Sequence, residues 1–463
     1  PRARMTTPMQ RRARILLLAA GALAATPPDV PYVDPHQLVR LDGAILFAAY
    51  SAASGSELWR LDEPTDEAPL VRAARQLSDI RPGPRGSYPS TLTRMGRYVY
   101  FAANDGASGI ELWRTDGTRA GTVLVSDIHE GSGDSIPSGF TMVDDTLYFV
   151  ASDAKHGFEL WRCDGTPESV RLVADINPGR AGSNPRQLTA VGSRLYFAAT
   201  EDAYGTELWT SDGTAQGTRR VADIIGGPAD AEPAELTALA DATVMFVAHT
   251  DSQGAELWRS DGTETGTRLL RDIRPGRESS RPRYLAAMGN VVVFQANDGR
   301  SGHELWKSDG TTKGTVQVAD IRPGPDNSLP SFITTVRDHV FFTATDGAGG
   351  VELWRSDATQ SGTHRVADLN PGPDSSSPGQ LTPLGDQLLF AAGDAKHGWE
   401  VWRSDGTAQG TWLVSDVREG TDSSYPANFT ESAGAVVFTA DDATGTVRLW
   451  RLARPKPRLS ARE

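Results

Sequence analysis

The chain has 463 residues, of which 38% are hydrophobic and 23% charged, with 46 Lys and Arg against 59 Asp and Glu and a formal charge of −13. That charge excludes the basic footprint of sequence-independent nucleic-acid binding and disfavours attraction to anionic membranes. A single cysteine excludes an internal disulfide framework and any multi-thiolate metal site. With 47 Gly and 29 Pro, about one residue in six is a turn-former, which suits an all-β chain and is too little for a low-complexity one.

Taken in chain order, residues 1–26 read as a secretory signal peptide with its upstream residues. Arg2, Arg4, Arg11, Arg12 and Arg14 precede the apolar run Ile15 to Ala20, and Ala22-Leu23-Ala24 offers an A-x-A cleavage site. The apolar run is too short to span a bilayer, so no membrane span is expected and the protein is read as secreted, whether extracellular, periplasmic or on the cell surface. Loss of residues 1–24 would remove five arginines and no acid, moving the charge from −13 to −18.

Residues 27–454 read as one repeat domain, followed by a tail at 455–463. Glu-Leu-Trp or a near variant recurs nine times, placing tryptophans at Trp59, Trp113, Trp161, Trp209, Trp258, Trp306, Trp354, Trp402 and Trp450, mostly 48 residues apart. Within one copy, Leu188 to Val191, Arg194 to Ala199, Glu207 to Ser211 and Arg219 to Ile224 are four short strand-like runs closed by Gly, Pro, Asp or Ser chemistry. The interval from the second-strand Phe to the residue before Trp is constant, which marks a fixed supersecondary unit. Four-stranded modules of this length that bury both faces by stacking predict a β-propeller of four-stranded antiparallel blades. Nine blades are expected, with an eight-bladed ring or an open solenoid as alternatives. Val30 to Asp34 is expected to supply the fourth strand that the last copy lacks, so closing the ring.

Glu304-Leu305-Trp306-Lys307-Ser308-Asp309-Gly310-Thr311 resembles the repeat of the bacterial secreted ELWxxDGT-repeat proteins, over residues 30 to 453. The resemblance implies export and repetition and names no ligand. The Asp-Gly-Thr turn also resembles the Asp-box of sialidase-type propellers in position, though not in spacing, and implies nothing about sialidase chemistry.

The periodic tryptophans are expected to form the structural core of the repeat rather than a sugar platform, since nine such rings would dominate the packing. Trp399 and Trp412 lie off the comb and are better placed as exposed aromatics. The loop after the second strand carries an acid in most copies, on the same blade end as the connections between blades. Asp105, Asn297, Asp298 and Asp346 are the best available calcium ligands there, against the simpler account of Asx turns facing water. His156 and His397 share an Ala-Lys-His-Gly loop five blades apart and cannot meet. Cys163 stands where other copies have Ser or Thr. No nucleophile elbow, Walker loop, dinucleotide fingerprint or zincin motif is present, and the copies are expected to differ little around the central mouth. The reading is a secreted, non-catalytic scaffold that binds a surface glycan or protein, with no resident cofactor unless calcium. The competing readings are a glycan hydrolase with acids at the mouth and a structural matrix protein.

Overall fold

The computed structural model describes residues 33–62, 74–432 and 434–453. The signal-like segment 1–26, residues 30–32 of the expected closing strand and the tail at 455–463 lie outside them.

Each repeat folds as one antiparallel meander. In the fourth, the strands are Arg186–Val191, Arg194–Glu201, Gly205–Ser211 and Arg219–Arg220, hydrogen-bonded in that order. The second and third strands are buried along almost their whole length, because both faces of the sheet are covered by neighbouring blades. The fourth strand is short and exposed, a blunted edge that offers little to a passing chain. Phe197 pairs with Trp209 across the second and third strands, and the same Phe–Trp pair recurs in every blade, from Phe47 and Trp59 to Phe438 and Trp450. That register is the physical reason for the constant interval between them. The hairpin turns on Gly205, at φ +65: a Cβ there would sit 2.3 Å from the Ala229 carbonyl oxygen, so only glycine fits.

Among the described residues there are nine blades, eight of four strands and a last one of three, at Ala427–Ser432, Ala435–Asp441 and Val447–Ala453. The first strand of each blade neighbours the first strands of the blades on either side, and the series closes from the ninth back to the first. These strands therefore surround a central channel. The seam is a packed cluster like the others: Ile45, Phe47, Trp59 and Leu61 of blade 1 against Val437 and Leu449 of blade 9. The fold is a closed nine-bladed propeller, which settles the choice against eight blades or an open array. Val33 and Asp34 belong to the first strand of blade 1, where Val33 pairs with Tyr50.

The tryptophans pack against the preceding blade. Trp209 joins Tyr148 and Leu160 of blade 3, and Trp306 joins Met245 and Leu257 of blade 5. Seven of the nine are buried, and Trp113 and Trp258 are half-buried on the same clusters. In blades 1 to 3 and 5 to 7 the basic residue after Trp stitches the blade to the next. Arg162 donates to the Gly213 carbonyl at 2.9 Å, and Lys307 Nζ donates to the Ala358 carbonyl at 2.8 Å. Where blade 4 has Thr210 instead, Arg219 of its fourth strand reaches the Gly262 carbonyl at 2.7 Å.

Candidate binding face at the channel mouth

The glutamate of Glu-Leu-Trp is buried in all eight blades that carry it, and its carboxylate organises the connection to the next blade. Glu304 accepts the Ile321 amide at 2.7 Å, the Ser328 amide at 2.9 Å and the Ser328 hydroxyl at 2.7 Å. The same latch joins Glu57 to Ser87, Glu111 to Ser135, Glu159 to Ser183, Glu256 to Ser280, Glu352 to Ser376 and Glu400 to Ser424. Each of these serines opens a Ser-x-Pro segment that leads into the next first strand. Sequence reasoning missed the latch. The available signal was a serine recurring 24 residues after most of these glutamates.

Two members of the series depart. In blade 9, Arg448 replaces the glutamate and forms a buried ion pair with Asp442. In blade 4, Glu207 faces Ala231 instead of serine, and neither carboxylate oxygen makes a well-formed hydrogen bond; the Ile224 and Ile225 amides only face it. Burial pushes Glu207 up to about 7. Ala231→Ser is therefore expected to stabilise the protein by about 1.5–3 kcal/mol at pH 8, since a hydrogen bond to a charged group is worth that much. The gain shrinks at pH 5, because the hydroxyl favours the ionised carboxylate and lowers its pKa. Urea denaturation at the two pH values measures it, and an equal or absent gain refutes the assignment.

Burial also raises Glu256, Glu304 and Glu400 to about 7, against lowering by their serine and amide partners, and raises Glu57, Glu111, Glu159 and Glu352 in the same direction. A carboxyl whose folded pKa is raised contributes stability fully below its unfolded value of 4.5 and loses it as pH rises through the folded value. The exposed turn aspartates work oppositely. Asp212, Asp261 and Asp309 are held low, chiefly by hydroxyl bonds from Thr214, Thr263 and Thr311, so their contribution is lost as pH falls below the ordinary aspartate range. The melting temperature is therefore expected to peak at about pH 4–5 and to fall towards pH 8. A calorimetric series with its maximum at or above pH 7 would contradict this.

The segments that lead into the first strands share one backbone geometry at the mouth, with or without the latch. The residue between Ser and Pro, with its counterparts Asp34 in blade 1 and Glu232 after Ala231 in blade 5, takes a left-handed φ in all nine blades: Asp34, Tyr88, Ile136, Asn184, Glu232, Arg281, Leu329, Ser377 and Tyr425, between 46° and 55°. Three residues further on, within the first strand, a second left-handed ring follows: Gln37, Thr91, Gly139, Gln187, Glu235, Tyr284, Phe332, Gln380 and Asn428. There the pairing of first and second strands shifts register, as between Arg186 and Thr189. Of 22 described non-glycine residues at positive φ, 17 belong to these two rings. Strained backbone, some of it on bulky residues such as Ile136 and Phe332, is concentrated where the first strands begin. The side chains are blade-specific and mostly turned to solvent, among them Tyr88, Ile136, Leu329, Phe332 and Tyr425. The expectation that the copies differ little therefore holds for the framework and fails at the mouth. The repeat's consensus ends where the latch hands over to the Ser-x-Pro segment, so the variable positions fall outside the motif that reveals the repeat.

The residues anticipated as ligands lie beside this face, in the loops between second and third strands, where the Asn297 amide donates to the Ser280 carbonyl at 3.0 Å. Asp105 Oδ1 accepts the Ala107 and Ser108 amides at 2.8 and 2.7 Å, Asp298 Oδ1 accepts those of Arg300 and Ser301 at 2.8 Å each, and Asp346 Oδ1 accepts those of Ala348 and Gly349 at 2.9 and 3.1 Å. Asn297 Oδ1 accepts the Gly299 amide at 2.7 Å. These groups close Asx turns in blades 2, 6 and 7, Asp105 is on a different blade from the rest, and no cluster of three His, Cys, Asp or Glu suited to a metal occurs among the described residues. His156 and His397 each pair with an aspartate of their own loop, Asp153 and Asp394, at 2.8 Å. Cys163 is buried and its Sγ accepts the Gly165 amide at 3.2 Å, the position a serine hydroxyl fills in the other turns. Trp412 is 41% exposed beneath the Arg403 guanidinium, and Trp399 meets Tyr425 of the mouth edge-on at 5.8 Å.

Two openings lie at the mouth. One, of ≈390 Å³, is bounded by the first strands of blades 6, 7 and 8, including Tyr284, Phe332 and Gln380. The other, of ≈460 Å³, lies between blades 5 and 6 and is lined by Glu232, Glu235, His249, Arg281, Arg283 and Tyr284. No family model and no curated protein matches the chain. Solved structures similar to it include a puromycin hydrolase, with 14% identity, a TM-score of 0.39, and coverage of 77% of this chain and 58% of that one. A prolyl endopeptidase has 11% identity, a TM-score of 0.42 and coverage of 79% and 61%. Prolyl oligopeptidase B from Galerina marginata has 13% identity, a TM-score of 0.44 and coverage of 79% and 56%. The chain thus spans less than two thirds of each of those proteins. No described helix is long and apolar enough to cross a membrane.

Proposed function

We propose that this protein is an exported, non-catalytic binding module that holds a surface glycan or protein over one mouth of its channel. The observation that carries the reading is the contrast between nine nearly uniform blades and two exposed, blade-specific rings at their first strands. A scaffold selected only for packing has no use for bulky apolar side chains at strained, solvent-facing positions. Such residues suit contact with a partner. The ELWxxDGT resemblance and the basic-apolar N-terminal segment support export. The loop aspartates each use Oδ1 to close a turn, which accounts for their place in the repeat without calcium.

The test is a glycan array combined with cell-envelope fractions, each repeated with calcium and with a chelator. A triple variant, Tyr88→Ser, Leu329→Ser and Tyr425→Ser, is expected to weaken whatever binding the wild type shows by about tenfold or more, because exposed tyrosines such as Tyr88 and Tyr425 carry most of such an interface. Thr118→Ala, in a turn at the opposite end of the blades, leaves it unchanged. Full binding by the triple variant, or turnover of a glycoside panel by the wild type, overturns the reading.

A further inference from the structure

The connection entering blade 6 differs from its counterparts in charge. With Arg271 and Arg283 at the strand ends that flank it, it gathers five arginines against Asp272 and Glu278, in a chain of formal charge −13. Arg281 and Arg283 line the ≈460 Å³ opening, and both acids that share it are engaged. Glu232 pairs with Arg186, and Glu235 accepts the Leu285 amide at 3.2 Å. Among the described residues, no carboxylate pairs with Arg281 or Arg283. Their field is felt by half-buried His303, whose pKa is lowered first by burial and then by Arg281, Arg283 and Arg274. Tyr284 lines both openings, and its ring lies 5.8 Å from that of Phe332, which is 54% exposed. Gln380, Thr334 and Thr382 add amide and hydroxyl groups beside them.

We propose that the mouth across blades 5 to 8 binds a carboxylated glycan, with a uronate carboxylate held by Arg281 and Arg283 and an adjoining sugar ring against Tyr284 and Phe332. This rests on the reading of the mouth as the binding face. A guanidinium offers the fork that a carboxylate accepts, aromatic faces receive the C–H face of a pyranose, and side-chain amides and hydroxyls meet its hydroxyl edge. An acidic peptide fits less well. Peptides in such grooves extend a regular strand edge, and the left-handed residue in each first strand breaks that edge.

Isothermal titration with oligogalacturonate tests the proposal. Arg281→Gln/Arg283→Gln is expected to bind about tenfold or more weakly, and Phe332→Ser about fivefold, whereas Arg97→Gln in a turn on the opposite face binds like the wild type. Neutral galactan oligomers and poly-glutamate are expected to bind at least about tenfold more weakly than oligogalacturonate. The substituted side chains are exposed, and matching melting curves establish that the variants fold. Unchanged affinity in the double variant, or equal affinity for poly-glutamate, overturns the proposal. Failure to bind oligogalacturonate, alongside binding of another probe that the Tyr88, Leu329 and Tyr425 triple variant abolishes, overturns it while leaving the mouth as the binding face. Binding that neither set of substitutions alters overturns both.

Discussion

Glu304→Ala is expected to destabilise the protein by about 2–4 kcal/mol, far more than the loss of an ordinary polar side chain. The carboxylate is fully buried and accepts three donors, and its removal strands the Ile321 amide and weakens the bonding of Ser328. The Ser328 amide and hydroxyl each retain a longer bond to the His303 carbonyl, at 3.2 Å, which limits the cost. Ser328→Ala is accordingly expected to cost about 1–2 kcal/mol, and in the double variant the two losses do not add, because both act on one interaction. A denaturant double-mutant cycle measures the coupling. Additive losses, or a Glu304→Ala protein within about 0.5 kcal/mol of wild type, would show that the latch does not hold the linker.

Trp59→Ala is expected to cost about 3–5 kcal/mol, as for other buried aromatic truncations, and to act at one place in the ring. Trp59 is 2% exposed in the cluster that joins blade 1 to blade 9, so its loss leaves a cavity at the seam. Trp306→Ala makes an equivalent cavity between blades 5 and 6, an interface continuous in the chain. In a repeat protein, stability is the sum of units and nearest-neighbour interfaces, so the two variants lose similar free energy in different places. Hydrogen exchange should quicken in blades 1 and 9 for the first and in blades 5 and 6 for the second. Uniform quickening in both would mean that the ring melts only as a whole.

The blade was legible in the sequence, and the latch was not. The comb of tryptophans and the constant interval from phenylalanine gave away the blade, because cross-strand register forces a fixed count of residues between paired positions. The glutamate before Leu-Trp lies in the same motif, yet nothing local marks it as structural. A buried carboxylate looks like a surface charge until the Ser-x-Pro segment that satisfies it is brought back by the turn of the chain. Asp105, Asn297, Asp298 and Asp346 are oxygen-ligand candidates by residue type alone, and the structure adds that Oδ1 of each closes a turn by accepting neighbouring amides.

The sequence by itself determined the repeat, its four-stranded content, the Trp-centred packing and the acidic balance, all of which follow from local spacing and composition. Only the tertiary structure decided closure at nine blades, because the seam joins residues about 400 positions apart, such as Ile45 and Leu449, whose proximity no local pattern encodes. The same holds for the mouth. Tyr88, Arg281, Leu329 and Tyr425 are scattered singletons along the chain, and they form one surface only because nine first strands are gathered around a common axis.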